Sequence, residues 1–152
     1  MKQKFYLYLV ISFLVMTSPI SAQTTLQSEV QNLLSTVAAS FQSGDLQPLD
    51  ELFAAGRGVH IIEGAGVNHG WAEYRDDHLR PELEVLENLN YRYFAIEPQV
   101  RGNMAFAAFR YELSGSMEGR ELDIEGRGTA VLERLAGQWK IVHLHTSGRN
   151  RQ

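Results

Sequence analysis

The stretch Gly137-Gln138-Trp139-Lys140-Ile141-Val142-His143-Leu144-His145-Thr146-Ser147-Gly148 reads as a turn feeding a strand that opens on an aromatic and runs on through β-branched residues. Side chains alternate along a strand, so Trp139, Ile141, His143 and His145 are expected on one face. Two imidazoles two positions apart, beside a tryptophan, make a polar pair on an otherwise apolar element. A bulge would carry them to the opposite face. Gly126 and Gly128, in the preceding strand, are places where one could form.

Outward from this ribbon, the pattern stays extended back to about Leu89. Strands are expected over 90–97, 104–116, 120–134 and 138–146. Turn signals separate them at Pro98 with Arg101-Gly102-Asn103, at Met117-Glu118-Gly119 and at Ala136-Gly137. In the second strand Ala105, Ala107, Phe109, Tyr111 and Leu113 form the more continuously apolar set, and are expected to face the core with the Tyr111 hydroxyl reaching a cavity. Arg127, between two glycines, has two readings: contact with an anionic ligand, or pairing with Glu125 or Glu112.

The first half is helical. Leu26, Val30, Leu33, Leu34, Val37, Ala38 and Phe41 recur at steps of three and four, which predicts an amphipathic helix ended by Gly44. A short helix with Leu46, Leu49, Leu52 and Phe53 on its buried side follows, with Asp45 as its N-cap. Val59 to Glu63 reads as a strand closed by a turn at Gly64 and Gly66. A third helix, capped by Asn68, is expected from His69 through Leu79 and on past Pro81, with Trp71, Tyr74, Arg75 and His78 along one side. That stripe is either a pocket wall or core. Asp76 and Asp77 point in different directions on a helix and are expected to pair with Arg75 or Arg80. Helices followed by a long meander predict an α+β domain with three helices packed on a curved antiparallel sheet.

Composition sets the outer bounds. Lys2 and Lys4, the apolar run Phe5–Met16 and the small residues before Gln23 have the layout of a secretory signal peptide over residues 1–22. The run is short for a membrane span. Residues 23–152 then form one domain, expected to be soluble and periplasmic or secreted, without stable membrane insertion. The formal net charge is −4, and loss of Lys2 and Lys4 makes it more acidic, so neither nucleic acid nor anionic lipid is an expected partner. With no cysteine, disulfides and thiolate chemistry are excluded. No phosphate-cradling glycine loop followed by lysine and no serine nucleophile elbow occurs.

Two stretches resemble a known superfamily. Gly126-Arg127-Gly128-Thr129-Ala130-Val131-Leu132-Glu133-Arg134, leading into Trp139–Ser147, is similar to the last hairpin of secreted SnoaL-like domains. Asn68–Leu83 is similar to the pocket-side helix of the same group. The layout resembles the nuclear transport factor two superfamily, shared with ketosteroid isomerase and scytalone dehydratase. The ending Val142–Gly148 also resembles the association domain of the calcium/calmodulin-dependent kinase. The resemblance implies a cone-shaped, cystatin-like roll with a cavity, and leaves the chemistry open. The hub's pocket arginines would fall at Ala130 and Thr146, so its ligand site does not carry over. The aspartate, tyrosine and protonated acid of ketosteroid isomerase have no match by motif.

The leading expectation is an exported domain that dimerises through its sheet and binds a small molecule in the cone, lined by His60, Trp71, Tyr74, His78, Tyr111, Arg127, His143 and His145. An alternative is a cofactor-free isomerase, dehydratase or hydrolase, with His145 as base, His143 or His78 as acid and Tyr111 as polarising hydroxyl. A third is an association module without catalysis. Metal ligation by His143 and His145 would need His60, His69 or His78 to complete the set; the expectation is no metal and no cofactor.

Overall fold

The computed structural model describes residues 19–56 and 58–151. The expected leader covers 1–22, so most of it lies outside the described residues. Helix α1 spans Pro19–Ser43. Its apolar stripe is buried as the spacing requires, with Val30, Leu34 and Val37 wholly excluded from solvent. It stops at Gly44, whose φ of 72° is a left-handed conformation natural to glycine.

The short helix after Gly44 is a single 3₁₀ stretch at Gln47–Glu51. Its N-cap is Leu46 rather than the expected Asp45, which stands one residue earlier and accepts from the Gln47 N–H through Oδ1 at 3.2 Å. Strand β1 (His60–Glu63) turns back into β2 (Gly66–His69), where the sequence predicts a turn at Gly66, a helix cap at Asn68 and the first helical residue at His69. Gly70, with φ 106°, ends that strand. One continuous helical run, α2, begins only at Trp71: it is α-helical at Trp71–Glu73, π-helical at Tyr74–Leu79 and α-helical again at Arg80–Val85. The meander follows as β3 (Leu86–Arg101), β4 (Met104–Met117), β5 (Arg120–Leu135) and β6 (Gln138–Asn150).

The six strands form one sheet in the order β2-β1-β6-β5-β4-β3. Every neighbour is antiparallel except β1 and β6, which run parallel. The sheet is therefore mixed rather than wholly antiparallel. The parallel junction is prepared upstream: the Ile141 N–H donates to Leu52 O at 2.8 Å, and the Ala54 N–H donates to Ile141 O at 2.9 Å. The chain is already docked on β6 before β1 begins.

Bulges bend the long strands. Two interrupt the β3–β4 pairing, at Glu87/Asn90 and Phe94/Glu97, and a third interrupts β5–β6 at Val131/Leu132. Helix α1 and the 3₁₀ turn fill the concave side, against Ala105, Ala107 and Phe109 of β4, Ala130 and Leu132 of β5, and Trp139, Ile141 and Leu144 of β6. The β4 alternation is the expected one. Strand β3 is an edge strand, and α1 covers its backbone with amide side chains. Gln23 and Gln27 donate to Val100 O and Pro98 O, both at 3.1 Å. Gln42 donates to Leu89 O at 2.6 Å and accepts from the Tyr91 N–H. No helix among the described residues is long and apolar enough to cross a membrane.

Candidate functional site

The third bulge decides where the C-terminal histidines lie. Leu132 pairs with Ile141 and Val131 pairs with His143, so Val142 has no partner opposite it. Trp139 and Ile141 face the core, the phase slips by one residue, and Leu144 and Thr146 are the next to be buried. His143 and His145 consequently stand on the outer face, opposite to Trp139 and Ile141. The physical reason is the apolar pattern. An inward Leu144 is favourable, whereas the unbulged strand would bury two imidazoles and expose that leucine. The bulge lies two residues or more beyond Gly126 and Gly128, in the partner strand.

Four of the five histidines share this outer face. His60 pairs with His69 on one side and with His143 on the other, and the His60 and His69 rings meet edge to face at 5.1 Å between centroids. The His143 pKa is lowered by partial burial, and by the neighbouring His145 and His60. Arg127 is also on the outer face, directly opposite Arg110. Both border a surface basin with Glu125, Ser147 and Arg149. Neither expected carboxylate partner of Arg127 is found; Glu125 pairs with Arg149, and Glu112 with Arg92 and Arg151.

Inside the cone, the structure gathers a different set around His78. Glu63 ends β1 with its side chain on the inner face, since Ile61 of the same parity is buried. Tyr74, His78 and Glu82 follow one another at steps of four on α2. In an α-helix four residues overshoot a full turn by about 40°. The wider π-helical stretch from Tyr74 to Leu79 takes up that overshoot, so all three line one side. The Tyr74 hydroxyl donates to Glu63 Oε2 at 2.8 Å. His78 Nε2 lies 3.7 Å from Glu63 Oε2 and 3.5 Å from Glu82 Oε1. Its other nitrogen, Nδ1, is 3.0 Å from Asn68 Oδ1.

Burial and mutual charge tune these groups. Glu82 is pushed above the ordinary carboxylate range, first by burial and then by the charge of Glu63, with His78 opposing both. Burial raises the Tyr74 phenol well above its usual value, and Glu63 adds to the rise. An apolar cleft lined by Phe41, Leu79, Leu83, Leu86, Tyr91 and Leu113 adjoins Glu63 and Glu82. It has only about 30 Å³ of room as it stands, the space of one water.

Of the residues expected to line the cone, Tyr74 and His78 do so together. Trp71 is core: its ring stacks on Phe53 at 4.5 Å, and its indole N–H donates to Asp50 Oδ1 at 2.7 Å. Asp50 also holds Arg75 at 2.6 Å, a partner additional to the expected Asp76. Tyr111 faces inward, its ring lying across Gly126 and its hydroxyl beside Gly148. His60, Arg127, His143 and His145 are on the far side of the sheet. Sequence reasoning missed Glu63, Asn68 and Glu82. Glu82 carried a signal, standing four residues after His78 on an expected helix.

The sequence profile of the SnoaL-like domain matches residues 30–149, from the middle of α1 through nearly the whole meander. The chain belongs to the SnoaL-like family. No curated protein matches it by sequence. Solved structures similar to this SnoaL-like chain include a nuclear transport factor 2-like superfamily protein from Salmonella enterica. It is 20% identical with a TM-score of 0.74, over 85% of this chain and 94% of that one. A protein from Shewanella frigidimarina named as a candidate ketosteroid isomerase is 26% identical, TM-score 0.67, over 76% and 92%. A candidate calcium/calmodulin-dependent protein kinase II association domain from Xanthomonas campestris is 20% identical, TM-score 0.64, over 80% and 86%. The α+β cone expected from the resemblance is thus the fold of this SnoaL-like chain.

Proposed function

We propose that this SnoaL-like chain binds a small, mainly apolar molecule in the cleft under α2, with the molecule's polar group held by Glu63, His78 and Glu82. One observation carries the reading: Glu63 and Glu82, with His78 beside them, stand at one end of an apolar-lined cleft, the arrangement of small-molecule sites. The cleft must open to admit a ligand. Its cover is suited to that, because no residue of the closing stretch Arg80–Val85 is fully buried. The name of the Shewanella protein, a candidate ketosteroid isomerase, supports small-molecule chemistry on this fold.

The test uses N-phenyl-1-naphthylamine, a neutral apolar fluorophore, in the presence of a chelator. Saturable enhancement with one site per chain, lost in Leu113→Trp and displaced by small ketones, is the expected result. Enhancement that never saturates, or that survives Leu113→Trp unchanged in a folded variant, overturns the reading.

Two further properties belong to this proposal. The outer sheet face exposes Phe106 and Val67, each about half accessible, and Met104. Their apolar surface and the name of the Xanthomonas association domain support a second copy of this chain as the occupant. Sedimentation should then give a dimer that Phe106→Glu dissociates. Export rests on the leader-like layout of residues 1–22, and cell fractionation should place the processed chain outside the cytoplasm.

A further inference from the structure

Glu63, His78 and Glu82 present one donor atom each, all within 4.8 Å of one another, and no other group of three metal-ligating side chains among the described residues converges so closely. We infer that these three side chains form a binding site for one divalent transition metal ion, of the zinc or manganese class. The inference deepens the reading above, since it occupies the polar end of the same cleft, but metal binding itself requires no small molecule.

The distances fit a common centre. Metal bonds of about 2.0–2.2 Å at tetrahedral angles place donor atoms roughly 3.3–3.6 Å apart. His78 Nε2 stands 3.5 Å from Glu82 Oε1 and 3.7 Å from Glu63 Oε2. His78 and Glu82 are four residues apart on one helical side, the spacing at which two side chains reach one ion. Glu63 supplies the third donor from the sheet, so the site ties α2 to β1.

The surroundings of each donor fit as well. Asn68 Oδ1 lies 3.0 Å from Nδ1, and an amide oxygen there can only accept, so Nε2, facing the two carboxylates, is the nitrogen that would ligate an ion. A histidine whose second nitrogen donates to an oxygen has the orientation and basicity of a metal ligand. The Tyr74 hydroxyl fixes Glu63 through Oε2. Two carboxylates beside one imidazole repel each other, and a cation between them offsets that repulsion. One imidazole and two carboxylates suit zinc or manganese. Three protein ligands leave further positions open toward the apolar cleft, where the polar group of a bound molecule would enter.

Isothermal titration of the full chain with Zn²⁺, and the visible absorption of bound Co²⁺, test this. The expected result is one ion per chain, with the intense visible bands of a four-coordinate Co²⁺ centre. His78→Ala should weaken binding at least tenfold, as should Glu82→Gln. The outer-face histidines offer a rival location, so the double variant His60→Gln/His143→Gln should retain full affinity. Thermal melts in chelator confirm that each variant is folded, and Glu63→Gln, also expected to weaken binding, serves if His78→Ala does not fold. No saturable uptake overturns the proposal. So does uptake that survives loss of His78 and Glu82 but disappears in the outer-face variant. Failure here with intact fluorophore binding removes only the metal; loss of fluorophore binding with intact metal uptake removes only the apolar-ligand reading.

Discussion

Asn68 Oδ1 lies 3.0 Å from His78 Nδ1, so the last inward-facing residue of β2 sets which nitrogen of the imidazole faces the two glutamates. An acceptor at Nδ1 keeps the proton there and the lone pair at Nε2. This joins the β1–β2 hairpin to the helix that follows it.

Removing that acceptor should therefore weaken the metal site without unfolding the chain. Asn68→Ala is expected to lower Zn²⁺ affinity about 10- to 100-fold, the usual effect of losing such an outer partner. Asn68→Asp, which restores an acceptor, should recover most of it. Calorimetric titration of both variants checks the order; equal affinities for Ala and Asp would show that the Asn68 contact does not orient the ring.

The bulge at Val142 makes a contrast between adjacent residues. Leu144 is 2% exposed on the inner face, whereas His143 and His145 project outward. Leu144→Ala should cost about 2–5 kcal/mol in urea denaturation, as large-to-small core changes do. At pH 8, His145→Ala should fall within about 0.5 kcal/mol of the parent. The strictly alternating strand would give the reverse order. Deleting Val142 removes the extra residue, so the ladder closes with Leu144 still inward and both imidazoles still outward, and it should cost less than Leu144→Ala.

Much of this was legible in the sequence, and the parts that were not have a common cause. The α1 stripe, the four meander strands and the inward set of β4 follow from local periodicity, and periodicity survives whatever surrounds it. The face of His143 does not, because one unpaired residue inverts every side chain beyond it. The Ile141-Val142 pair of adjacent apolar residues, and Leu144 between two imidazoles, were the only traces. Strand β2 was hidden because four residues carry almost no period, and its pairing with β1 is a tertiary fact. The site was half legible: Tyr74 and His78 were singled out by helical spacing. Glu63 reaches them only through the parallel junction of β1 with β6, which no local pattern announces.

Gly128 and Phe109 test the packing of the cone floor. They are directly paired across β5 and β4, and a methyl group at Gly128 would overlap the Phe109 ring. The glycine lets the ring lie flat on the neighbouring strand. Gly128→Ala should therefore cost about 1–3 kcal/mol as an overpacking change. Combined with Phe109→Leu, which withdraws the ring, the loss should be smaller than the sum of the two single changes, since contacting residues couple. Additive losses in a double-mutant cycle would place the strain elsewhere.

His143 should make the outer face sensitive to acid. Partial burial lowers its pKa below the ordinary value of 6.5, and the neighbouring His145 and His60 add to the shift. The folded state thus takes up this proton less readily than the unfolded chain. The stability linked to His143 is present in full above pH 6.5 and is lost as the pH falls through that value toward the lowered one. His60 pairs directly with it from β1, which sets the two imidazoles side by side. The melting temperature should drop between pH 7.5 and pH 5.5, and His143→Gln should flatten part of that slope while leaving the pH 8 value nearly unchanged. A melting temperature that rises on acidification, or a slope identical in His143→Gln, would contradict the placement of these imidazoles side by side.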